Sequence, residues 1–184
     1  MKQRILFVCA ICLFLFAGMW HTVVAVSDPT SLKNVAVREK IEYALPYPGI
    51  LPDHPLYIVK RVRDYILERV IMEPVRKGEF YVLQGDKRLN MGVMLIGSGK
   101  EQLGESTISK AEKYMEKSVR ALLSYQATEA MVPTHIADRL RISLSKHEEV
   151  INTVLLTVKE AQKNGLTESL TRVKLLQEEA KKLK

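Results

Sequence analysis

The sequence predicts an all-α protein, a bundle of four to five amphipathic helices preceded by a signal peptide and a proline-rich strap. Two observations carry this prediction. Apolar residues recur at three-and-four spacing from Leu56 to the end of the chain, and no stretch of any length alternates apolar with polar as a half-buried strand would. The breaks between the periodic stretches fall at proline or glycine, the residues that interrupt a helix.

The chain opens on Lys2 and Arg4, followed by an uninterrupted apolar run from Ile5 to Ala17, then Gly18 and a weaker segment ending Val23-Val24-Ala25. A basic start, a short apolar middle and small residues before a cut are the features of a secretory signal peptide, which places cleavage after Ala25. An uncleaved anchor is the alternative. With Trp20 to Val26 included, the apolar span reaches roughly 20 residues, enough to cross a bilayer. On this reading the chain meets a membrane only through residues 1–25, and the protein is exported: periplasmic, at the cell surface or extracellular. Cys9 and Cys12 lie inside the apolar run, where cysteine behaves as a small hydrophobe and not as a redox pair. Removing Lys2 and Arg4 with the signal takes the net charge from +7 to +5. The basic residues are interleaved with acids at helical spacing and form no dense cluster with aromatics, so nucleic acid is not an expected partner.

Residues 26–52 form a linker ending in the strap Leu45-Pro46-Tyr47-Pro48-Gly49-Ile50-Leu51-Pro52, where three prolines and a glycine forbid a helix. Such a segment suits an extended strap over an apolar groove. The bundle domain then spans residues 53–184. Asp53 is placed to cap a first helix, with Pro55 in its first turn and His54 shaping the cap. Leu56, Val59, Val62, Ile66 and Val70 form its apolar stripe, expected to face inward with the other stripes. A second helix runs from about Pro74 to Ile96. Along it Gly78, Val82, Gly85, Leu89, Gly92, Ile96 and Gly99 alternate glycine with bulk on one seam. Each interior glycine costs roughly 1 kcal/mol against alanine, so the seam implies close approach of a neighbour filling the notches, with Tyr65 or Tyr114 as candidates. Glu79, Asp86, Lys87 and Arg88 exclude a membrane-spanning glycine helix.

After a hinge at Gly97-Ser98-Gly99, a third helix is expected from about Ser106 to Met131 and a fourth from about Thr134 to Gln162. The fourth has the seam Ile136, Leu140, Leu144, His147, Ile151, Val154 and Val158. Asn164-Gly165 is expected to end it, with Thr167 capping a last helix.

No constellation of a catalytic kind is present: there is no glycine-flanked serine elbow, no cysteine after the signal, and the paired carboxylates Glu148-Glu149 and Glu178-Glu179 point to different helix faces. The chain is therefore expected not to be an enzyme, and no residue is assigned a catalytic, cofactor-binding or metal role. A metal- or haem-binding bundle is the alternative, with His135, His147 and Met91, Met94, Met115 or Met131 as ligands. His135 and His147 stand about 18 Å apart along a helix, too far to share one ion. The expected function is a non-enzymatic protein-interaction or structural module of the cell envelope, with a protein partner or self-association.

The segment from Leu45 to Arg61, with its Pro-Gly stretch and Pro55-Leu56-Tyr57 step before a basic helix, resembles the opening signature of an uncharacterised family of exported bacterial all-helical proteins, a domain of unknown function. The Asp86 to Leu89 step in a proline-started helix fits as well. The resemblance covers about residues 45–184 and implies an all-α extracytoplasmic module. It brings no activity, ligand or catalytic residue, and Gly78, Gly85 and Gly92 depart from its pattern.

Overall fold

A computed structural model describes residues 40–184. The expected signal peptide, the cysteine pair and the first part of the expected linker lie outside the described residues. The described chain holds five helices: α1 (Tyr57–Val70), α2 (Pro74–Gly97), α3 (Glu101–Gln126), α4 (Thr134–Leu155) and α5 (Glu160–Ala180). None is long and apolar enough to cross a membrane.

Helices α2 to α5 form a four-helix bundle of two antiparallel hairpins. Helix α2 lies against α3 and α4, and α5 closes the ring against α3 and α4. The α2–α3 pair is set by the glycine seam. A side chain at Gly78 would meet Leu122, at Gly85 Met115, and at Gly92 Ile108, so each notch holds one bulky residue of α3 at a steady antiparallel register. Leu122, Met115 and Ile108 fill these notches, not the expected tyrosines. The backbones come closest at the hairpin end, where a Cβ at Gly92 would stand 2.9 Å from the Gly104 carbonyl oxygen. Close approach there recovers in dispersion and burial what the glycines cost in helix propensity.

The helix ends follow local chemistry. Glu73 caps α2, its carboxylate accepting from the Val75 and Arg76 amides at 2.9 and 2.6 Å, and Pro74 fills the first position, which needs no donor. At the other end Gly99, at φ +81, lets its own amide reach the Ile96 carbonyl and that of Lys100 reach Leu95, a Schellman motif that starts α3 five residues before its expected Ser106. Helix α3 stops at Gln126, short of Met131, as the chain turns through Glu129 at φ 62.

Asn164-Gly165 does not end α4. That helix stops at Leu155, where the Thr157 hydroxyl takes the Val154 carbonyl at 2.9 Å and competes with the helical ladder. The break is tied to α3 by the Lys159 amide donating to Glu101 at 3.2 Å. Asn164, Gly165 and Thr167 therefore lie inside α5, so Thr167 is not a cap. At Gly165 the side chain of Glu105 from α3 lies across the α5 backbone where a Cβ would stand.

The core comprises Val82, Leu89, Ile108, Met115, Leu122, Leu140, Leu144, Ile151, Leu166 and Val173, with their neighbours. The strap lies along this bundle as expected. The Ile41 amide donates to Glu149 and the Asn90 side chain donates to the Pro46 carbonyl, while Leu45 packs on the core.

Helix α1 departs from expectation. Its stripe faces outward: Val59, Val62, Ile66 and Val70 are 66%, 54%, 53% and 67% exposed, whereas Lys60 and Asp64 are buried. The physical reason is what lies beneath it. The four-helix core is already closed, and α2 and α3 present charged and phenolic groups to α1 instead of an apolar slot.

Candidate functional site

Two arrangements gather the chemistry of the described chain. The first is a sealed polar network in the core. Helix α2 contributes Asp86, α3 contributes Glu112, and α4 contributes Ser143 and His147, all four fully buried. Each ionisable member occupies an apolar seam: Asp86 between Val82 and Leu89, Glu112 between Ile108 and Met115, His147 between Leu144 and Ile151. His147 Nδ1 stands 2.9 Å from Glu112 Oε1, and Nε2 3.2 Å from Asp86 Oδ1. The Ser143 hydroxyl donates to Asp86 Oδ1 and the hydroxyl of Tyr43, just before the strap, to Asp86 Oδ2, both at 2.5 Å.

Burial opposes charge on both His147 and Asp86, and their mutual attraction outweighs it. The imidazole is raised to about 9 by the Glu112 and Asp86 carboxylates. Asp86 is held below the usual carboxylate range by His147, Ser143 and Tyr43. His147 is thus an imidazolium at neutral pH, and burial together with Asp86 pushes the Tyr43 phenol up to about 12. Glu112 Oε2 alone in this cluster has no hydrogen-bond partner among the described residues. Chemically, the network is a strut: it fixes α2, α3, α4 and the strap to one another.

The second arrangement is α1 and its seat. Lys60, Asp64 and Glu68 recur every fourth residue and form the face that docks. The Lys60 ammonium donates to the Pro48 and Ile50 carbonyls at 2.6 and 3.3 Å, and burial pushes it down to about 8 against the pull of Asp64. Asp64 Oδ2 stands 3.8 Å from the guanidinium of Arg88. That guanidinium lies 4.1 Å from the Tyr114 ring centroid and donates to Gln84 Oε1 at 2.5 Å. Glu68 accepts from the Tyr81 hydroxyl at 3.0 Å and from Lys117 at 2.7 Å.

Two clefts flank α1. One, of about 430 Å³, is bordered by Tyr47, Pro48, Gly49, Ile50, Leu56 and Val59 with Lys60, Arg63 and Lys87. The other, of about 260 Å³, is bordered by Tyr57, Arg61, Arg88, Lys110 and Tyr114. Each has three cations on its border, of which Arg63 donates to Asp64 at 2.7 Å and Arg88 stands 3.8 Å from the same carboxylate.

The residues weighed as metal ligands are not brought together. His135 is exposed at the start of α4 and His147 is sealed twelve residues on. Met91 and Met115 are buried while Met94 and Met131 are exposed, with the Met115 sulfur seated in the Gly85 notch. Both ring nitrogens of His147 are held by carboxylates, so neither faces a ligand position. His54 does shape the turn before α1, its Nδ1 accepting from the Leu56 amide at 3.1 Å. Asp53 is not the cap, because its carboxylate pairs with Lys100 at 2.5 Å.

The architecture, from the strap turn to the end of α5, is also the unit by which the chain can be placed among known proteins. A family model described as a domain of unknown function, DUF5667, matches residues 49–180. The chain belongs to that family. The DUF5667 match begins at Gly49 in the strap and takes in all five helices, so α1 and its seat are part of the family domain. No curated protein and no solved structure matches the chain.

Sequence reasoning missed Asp86 and Glu112 as partners of His147. The available signal was one ionisable residue on the apolar seam of each of three helices, since a buried charge needs a buried counter-charge.

Proposed function

We propose that this DUF5667 protein is a non-enzymatic, exported protein of the cell envelope whose bundle serves as a protein-interaction or structural module. The observation that carries this reading is the state of its reactive side chains. His147, Asp86 and Glu112 are fully buried and engaged with one another, so the groups that a catalytic bundle would turn toward a substrate are used to hold helices together. Placement outside the cytosol rests on Lys2, Arg4 and the apolar run Ile5 to Ala17. A protein partner is supported by a groove of about 690 Å³ along α3 and α5, where Leu175 and Leu176 lie among Glu116, Arg120, Glu168 and Arg172. Mixed charges around apolar positions suit another polypeptide.

The test uses the full chain as bait in envelope extract, with light scattering and native mass spectrometry of the purified protein. Specific recovery of a partner, or a defined oligomer, is the expected result. A strict monomer that recovers nothing specific contradicts the interaction reading, and accumulation of the full-length chain in the soluble cytosol contradicts the placement.

A further inference from the structure

The outward face of α1 is amphipathic in an unusual sense, because its two acids are both turned toward the bundle. Asp64 is 4% exposed, and Glu68 is engaged by Tyr81 and Lys117. The residues of α1 left exposed are Ile58, Val59, Val62, Tyr65, Ile66, Leu67 and Val70, together with Arg61, Arg63 and Arg69. The helix therefore presents to its surroundings an apolar ridge flanked by three guanidiniums, of which Arg63 is paired with Asp64 at 2.7 Å while Arg61 and Arg69 meet no acid of the helix. Both clefts beside it repeat that chemistry, one with Lys60, Arg63 and Lys87, the other with Arg61, Arg88 and Lys110.

We infer that α1 is an interfacial helix, which lays its Val59, Val62, Ile66 and Val70 ridge into the surface of an anionic membrane while the flanking cations meet lipid phosphates. An apolar strip bordered by basic residues is what a helix needs to lie in the headgroup region, with attraction from anionic lipid added to burial of the strip. Charge decides against a second copy of the chain. Two such faces brought together would set Arg61 and Arg69 against arginines of the other copy, and Asp64, buried and already engaged by Arg63, offers them no free acid. The inference goes beyond the interaction role proposed above and does not depend on it, since the α3–α5 groove lies on other helices.

The experiment must separate α1 from the apolar run Ile5 to Ala17, which is itself lipid-seeking. In the full chain with Cys9→Ser and Cys12→Ser, an environment-sensitive fluorophore is attached at Ile66→Cys, or at Leu175→Cys on α5 as a reference. Each protein is mixed with vesicles of phosphatidylcholine alone or with a third of phosphatidylglycerol. The inference predicts a blue shift at position 66 with the anionic vesicles, weakened in high salt as screening requires, and none at position 175. Adding Val62→Glu and Val59→Glu should abolish the shift, lowering apparent affinity at position 66 by about tenfold or more, with the helical circular dichroism kept. Equal shifts at positions 66 and 175, or a shift at 66 that survives the two glutamates, overturn it by assigning the binding to the amino-terminal run. A shift at 66 that grows with protein concentration in the absence of vesicles, alongside a dimer in sedimentation, overturns it in favour of a protein interface.

Discussion

Helices α1 and α2 carry apolar residues at the same three-and-four spacing, and they use it in opposite directions. On α2 the seam of Val82, Leu89 and the glycines points into the bundle, where Leu122, Met115 and Ile108 of α3 fill the notches. On α1 the seam of Val59, Val62, Ile66 and Val70 points away from it, and the charged stripe Lys60, Asp64 and Glu68 makes the contact. Periodicity states which residues share a face. The neighbouring surface decides which face is turned inward. Helix α2 meets a partner shaped to its notches, and α1 meets Arg88, Tyr81 and Lys117, which carboxylates satisfy and valines would leave unpaired.

The contrast breaks most severely at the strut inside the core. His147→Ala removes the cation between two fully buried carboxylates, and the expected loss is about 3–5 kcal/mol of unfolding free energy, read by urea denaturation. Little or no loss would mean that the imidazolium is not what holds Asp86 and Glu112 in place. A milder perturbation of the same strut is pH. His147 is raised from 6.5 to about 9 in the folded protein, so the stability it contributes is full below about pH 6.5 and is lost as pH rises through about 9. Lys60, lowered to about 8, acts in the opposite sense, its penalty being relieved only above about 8. The window from about pH 6.5 to 8 therefore isolates the histidine, and stability should fall there by roughly 2 kcal/mol. His147→Gln should flatten that slope.

Next come the notches. Gly92→Ala places a methyl 2.4 Å from Ile108 Cγ1 and 2.9 Å from a backbone oxygen, and should cost about 1–3 kcal/mol despite the gain in helix propensity. Gly97→Ala meets nothing within 4 Å and should stabilise by up to about 1 kcal/mol. A shared sign for these two substitutions, measured by thermal melting, would remove close approach as the reason for the seam.

The smallest effect belongs to α1. Val62→Glu and Ile66→Glu should each change stability by about 0.5 kcal/mol or less, as exposed positions do. Equivalent substitutions at Val82 or Leu144 should unfold the protein.

Much of this was legible in the sequence. The all-helical bundle, the strap, the proline-started α2 and the close approach along Gly78, Gly85 and Gly92 follow from spacing and backbone chemistry alone. The direction of α1 did not, because Leu56 to Val70 supports two faces of equal regularity and only the long-range positions of Arg88, Tyr81 and Lys117 choose between them. The break after α4 was misplaced for a similar reason. Asn164-Gly165 has the look of a helix end, and Gly165 instead lies inside α5 beneath the Glu105 side chain of α3. His147 was recognised as a residue on an apolar seam, but its partners lie 35 and 61 positions away, which only the folded chain brings together.

The most direct test of the α1 orientation is thiol accessibility in dilute solution without vesicles, in the chain with Cys9→Ser and Cys12→Ser. Cysteines placed singly at Val62, Ile66, Val82 and Leu144 should divide by direction: the first two modified at nearly the rate of an unfolded peptide, the last two protected until the bundle unfolds. Protection at positions 62 and 66 equal to that at 82 and 144 would mean that α1 buries its apolar stripe after all.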